Sequence, residues 1–95
     1  MAGVLVFYFG RNDSMMALVG QQLKAAGLDA IGFRDEKVLE DELAKGEARL
    51  LVIGAGVEEA PRVRLKAYCA ARGILVHENS GGPGAMMEHV AKLLG

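Results

Sequence analysis

Residues 4–9, VLVFYF, are apolar without a break, and Gly10 ends the run. An unbroken run of β-branched and aromatic residues predicts a strand buried on both faces. Asn12, Asp13 and Ser14 then offer three helix N-caps. Met15, Val19, Leu23 and Ala26 follow at helical spacing with Met16 beside them, and Gly27 stops the helix. A weaker second strand, Asp29–Phe33, holds an internal glycine, and Asp35 caps a second helix reaching about Lys45. That helix has a thin apolar face of Val38, Leu39, Leu43 and Ala44. Leu50–Ile53 is a third strand, closed by Gly54-Ala55-Gly56. Pro61 suits the first turn of a third helix carrying Val63, Leu65, Ala67, Cys69 and Ala70 to Gly73. Ile74–Val76 reads as a short fourth strand, and Pro83 as the start of a last helix apolar on a broad side.

Strand and helix alternate with no hairpin signal, which predicts right-handed crossovers and one parallel sheet. The fold class expected is α/β, a single βαβαβαβα domain over 1–95, flavodoxin-like or half-Rossmann. The first and third strands are the most apolar and belong in the centre, which favours the order 2-1-3-4. The alternative, 3-2-1-4, would bury the weak second strand and leave LLVI at an edge.

Composition narrows the partners. Eleven basic and twelve acidic residues give a net charge of −1, with no basic excess for nucleic acid or an anionic membrane. The single Cys69 cannot form an internal disulfide, and no Cys/His spacing matches a zinc site. The opening residues lack the basic region and the long apolar stretch of a signal peptide, and nothing is long enough to span a bilayer. A cytoplasmic protein is expected.

In an open parallel sheet, ligands bind beyond the carboxyl ends of the strands where the order reverses. For 2-1-3-4 that crevice lies between the first and third strands. Gly10, Arg11, Asn12, Asp13 and Ser14 line one side, and Gly54, Ala55, Gly56, Val57 and Glu58 the other. The loop His77-Glu78-Asn79-Ser80-Gly81-Gly82 lies at the same end. Helix N-termini gather there with free backbone N–H groups, and Arg11 adds a charge. The expected ligand is a small anion, a phosphate or carboxylate; the bland alternative is that the glycines close tight turns and Arg11 is solvated. No cofactor is indicated.

Gly54-Ala55-Gly56, with Glu78 about where a ribose-binding acid would fall, begins a dinucleotide-binding fingerprint. Glu59 stands where the third glycine should, and Glu58 and Glu59 would repel a pyrophosphate. The chain resembles several families in architecture only. A phosphoacceptor receiver domain needs an Asp at the end of the third strand and acids after the first, where this chain has Ile53-Gly54 and Gly10-Arg11. A flavodoxin needs a Thr- and Ser-rich phosphate loop there. A IIB-type phosphocarrier or low-molecular-weight phosphatase needs Cys there, and the P-loop pattern is absent. No functional residue carries over from any of them.

His77 is the one candidate for acid–base work, at a strand's carboxyl end. Its bland reading is an edge-strand histidine facing water. His89 reads as a surface residue, Cys69 as a small buried hydrophobe and Tyr8 as core. Of the pairs Met15-Met16 and Met86-Met87, one member each can face the sheet. The leading functional expectation is a non-catalytic module binding a small anionic ligand or a protein partner. Its rivals are a small enzyme using His77 with Arg11 and the glycine-loop amides, and an assembly subunit. A homodimer is expected, through the last helix, the apolar fourth strand or the third helix around Tyr68.

Overall fold

Elements form where the apolar runs and caps predict them. The computed structural model describes residues 4–78 and 83–94. In chain order they form β1 (Leu5–Phe9), α1 (Asp13–Ala25), β2 (Asp29–Phe33), α2 (Glu36–Leu43), β3 (Leu50–Ile53), α3 (Glu59–Arg72), β4 (Leu75–Glu78) and α4 (Pro83–Leu94). Of the three candidate caps, Asn12 opens α1: its side-chain oxygen accepts the Met15 N–H at 3.0 Å. Asp35 caps α2 in the same way, accepting from the Lys37 and Val38 amides at 2.9 and 3.2 Å. Gly73 ends α3 at φ 71°, a left-handed conformation that a Cβ would disfavour.

The sheet order is β2-β1-β3-β4, and every neighbouring pair is parallel. Sheet and helices make the flavodoxin-like α/β fold expected from the sequence. Side chains alternate between the two faces. Phe7, Phe9, Leu51 and Ile53 meet Leu39 and Leu43 of α2 and Leu65 and Cys69 of α3. On the opposite face Val6, Leu50 and Val52 meet Val19 and Leu23 of α1 and Met86 and Val90 of α4. β3 is buried at all four positions, whereas β2 is largely exposed. The more apolar strand thus takes the centre, because only central strands are covered on both faces and both edges.

Several boundaries differ from expectation. β4 runs through His77 and Glu78 instead of ending at Val76, because Val52 and Ile53 of β3 continue the parallel register opposite them. The ladder is built from backbone groups, so it does not stop where side chains become polar. α3 starts two residues before Pro61, which still falls in the first turn. α2 ends at Leu43. Val38 and Val63, read as part of apolar helix faces, are 50% and 55% exposed. The sheet covers a narrower stripe of each helix than the apolar residues suggest. Val57, expected to line the crevice, is buried in the core under α2 and α3.

α2 has few core residues, and α3 holds it laterally. Arg64 of α3 donates two hydrogen bonds to the Glu36 carboxylate, at 2.8 and 2.9 Å. The Tyr68 hydroxyl donates to the Glu40 carbonyl at 3.1 Å. The Arg64 hydrogen bonds hold the Glu36 carboxyl below its usual range. Arg64 is exposed and Glu36 half-buried, so water screens the pair and its contribution to stability is small.

Candidate functional site

The carboxyl ends of β1 and β3 approach closely, and glycines permit it. The Gly54 N–H donates to the Phe9 carbonyl at 2.8 Å, and a Cβ at Gly54 would stand 3.2 Å from that oxygen. A Cβ at Gly10 would stand 3.2 Å from Cγ of Met16. Between these strand ends and the start of α1 lies a cavity of about 80 Å³. Tyr8, Met15, Met16, Val19 and Val52 make most of its wall, and Gly10, Arg11, Asn12, Gly54, Ala55 and Gly56 frame it. It therefore sits where the strand order reverses, and its wall is more apolar than a phosphate cradle suggests.

Tyr8 was read as core; it is half-buried and lines this cavity. Gly20 of α1 and Gly32 of β2 provide the slot for its ring. A Cβ at Gly32 would lie 2.5 Å from Cε2 of Tyr8, and one at Gly20 would overlap the hydroxyl. The sequence holds the signal for this slot, since glycine inside a helix or a strand marks a close approach.

Charge surrounds the mouth in pairs. The exposed Arg11 is not solvated alone: its Nε donates to Glu58 at 3.0 Å, its Nη1 donates to the Arg34 carbonyl at 3.0 Å, and its guanidinium lies over the Phe9 ring. Arg34 pairs in turn with Asp13 at 2.9 Å. The Glu58 carboxyl is held below its usual range by its own backbone N–H and then by Arg11. Ser14 is exposed in the first turn of α1. Arg62, which the sequence did not single out, braces the far rim. Its Nη2 donates to the Val57 carbonyl at 2.7 Å and the Ala55 carbonyl at 3.4 Å, while its Nε faces Glu78 at 3.6 Å. Lys66 completes the cluster, 3.0 Å from Glu78.

His77 departs from its bland reading. It is 7% exposed on the α1/α4 face of the sheet, and its Nδ1 hydrogen-bonds Nδ1 of His89 across the β4–α4 interface. It does not line the cavity. Asn79, Ser80, Gly81 and Gly82, the remaining expected ligand residues, lie outside the described residues. Cys69 is buried and its thiol is pushed up to about 11 by desolvation, which leaves it inert as a nucleophile near neutral pH. Among the described residues, no group of three or more His, Cys, Asp or Glu is placed to hold a metal ion, and no helix is long and apolar enough to cross a membrane.

No family model matches the chain, and no curated protein matches it. Among solved structures it is similar to the Vibrio cholerae chemotaxis protein CheY4, with a TM-score of 0.66 and 13% identity over 97% of this chain and 99% of that chain. That protein is a flavodoxin-like receiver domain, so the likeness is one of fold. At the carboxyl end of β3, where a receiver needs an aspartate, this chain places a fully buried Ile53 and the tightly packed Gly54.

Proposed function

We propose that the chain is a single-domain, non-catalytic binding module that takes a small anionic ligand at the carboxyl end of its sheet. The observation that carries the reading is the cavity at the strand reversal, walled by apolar side chains and framed by Gly10 and Gly54–Gly56. At about 80 Å³ it holds a compact apolar group, not a dinucleotide, since pockets for drug-sized ligands run to roughly 300–1,000 Å³. The ligand's anionic end then faces Arg11 and the first amides of α1. Glu58 pairs with Arg11, so binding is a carboxylate exchange. A wall of Tyr, Met and Val supports binding over catalysis.

A thermal-shift panel of small carboxylates, phosphates and nucleotides tests this, because a ligand that binds only the folded state raises Tm. Glu58→Gln releases Arg11 and is expected to bind the stabilising compound about tenfold more tightly, with Arg11→Ala weakening it by about as much. A panel with no stabilising member, or affinity indifferent to both substitutions, rejects the reading. Met15 at the cavity mouth and Leu18 one turn on are exposed, 43% and 37%, which favours a second reading: a partner's apolar side chain as the occupant.

Self-association is part of the proposal. Met87, Leu93 and Leu94 of α4 are only half-buried by their own chain, and β2 and β4 are open edges in the described sheet. Sedimentation at micromolar concentration is expected to give a homodimer, and a strict monomer there removes that part.

A further inference from the structure

The strongest unassigned feature is the pair of imidazoles between β4 and α4. His77 points from β4 into the α1/α4 layer, opposite Val52 of β3. Its ring meets that of His89 with centroids 4.6 Å apart, tilted at 55°. The two Nδ1 atoms are in direct hydrogen-bond contact, which leaves no room for an ion between them. Among the described residues, Nε2 of His77 is buried without a partner. His89 itself is exposed on α4. From this geometry we infer that the His77–His89 pair is a proton-sensitive latch that fastens α4 to the sheet near neutral pH and opens in mild acid.

The argument is one of donors and acceptors. An N–H···N bond between two imidazoles needs one donor and one acceptor. The pair keeps it with no added proton, and with one added proton the bond becomes charge-assisted. A second added proton makes both Nδ1 atoms donors, so the rings repel and the bond is lost. That proton must also create a cation at His77, whose buried Nε2 finds no acceptor among the described residues.

The surroundings do not rescue it. Glu78, next on the strand, faces the opposite layer, where Arg62 and Lys66 of α3 hold its carboxylate. α1 presents Val19 and Leu23 to the shared core, and its Asp13 and Lys24 are exposed. On α4, Glu88 and Lys92 are exposed. Burial first, and the His89 charge second, push the His77 imidazole below its ordinary range, and Glu78 opposes them weakly.

The sign follows from linkage. The unfolded chain takes up a proton at His77 near pH 6.5, while the folded chain resists it. Stability is therefore fully present above that pH and declines as pH falls below it. The carboxylates held low, Glu36 and Glu58, act at more acid pH, so the window between about pH 7 and 5 belongs to His77.

Proton NMR of the two imidazole rings, with hydrogen exchange along the backbone, tests the latch in the intact chain. The expected result is that the His77 ring titrates below the ordinary imidazole range. Between pH 7 and 5 the α4 amides, corrected for intrinsic rates, lose protection roughly tenfold more than those of α2, one pH unit of latch equilibrium. His89→Gln keeps α4 exposed and polar there but removes the second charge, and it is expected to raise the His77 titration and flatten the acid loss of α4 protection. Ordinary titration of the His77 ring, or α2 and α4 loosening together in wild type and variant alike, overturns the proposal.

Discussion

Ile53→Asp unfolds the chain. Ile53 is fully buried at the carboxyl end of β3, packed in the core with Phe9, Leu39 and Leu65. Loss of the isoleucine contacts costs about 2–5 kcal/mol. The carboxylate must then either stay ionised in an apolar layer or be held protonated, at a further cost of several kcal/mol. Chains of this size are stable by only about 5–15 kcal/mol, so the two costs together are on the order of the whole. Denaturant titration followed by circular dichroism is expected to show no cooperative transition for Ile53→Asp, while Ile53→Val loses about 0.5–1.5 kcal/mol. An aspartate variant folding within about 2 kcal/mol of wild type would show that this strand end tolerates charge.

The second large effect is a change of sign. In an ordinary helix, Gly→Ala gains up to about 1 kcal/mol. At Gly20 the new methyl overlaps the Tyr8 hydroxyl, and the ring cannot yield toward β2, because Gly32 already lies against it. Overpacking costs about 1–3 kcal/mol, so Gly20→Ala is expected to destabilise. With Tyr8→Leu in place the slot is empty, and the same substitution is expected to stabilise by up to about 1 kcal/mol. The double-mutant cycle should give a coupling energy of roughly 1–3 kcal/mol. Additive effects at the two positions would mean that the ring is free to move aside.

The two interiors explain which parts of this structure a reader of the sequence could find. VLVFYF and LLVI are covered by helices on both faces and by strands on both edges, so they are apolar almost throughout and their central place is plain. The crevice followed from their adjacency. Its chemistry did not. Arg11 looked available because Glu58, which takes it, is 47 positions away, and no local period links the two. His77 looked like an edge residue facing water because its cover, His89, comes from the next helix, and polar residues in a strand usually signal solvent. The end of β4 was missed for a related reason, since backbone pairing to Val52 and Ile53 continued under polar side chains. Val38 and Val63 misled in the other direction: apolar residues on a helix do not reveal how wide a stripe the sheet will cover. The Tyr8 slot was legible in principle, through two glycines placed where helix and strand propensity argue against them.

The order β2-β1-β3-β4 also has a consequence for synthesis. β1 leaves the ribosome before β2 and finds it after one helix, but its other edge waits for residues 50–53, which arrive only after a second helix. Until then the largely apolar β1 presents an unpaired backbone edge to any passing strand. No hairpin shortens the wait, because every ladder is parallel and each must close across a helix. A nascent chain stalled after β2 is therefore the species most prone to aggregate, and fast translation through α2 shortens its lifetime.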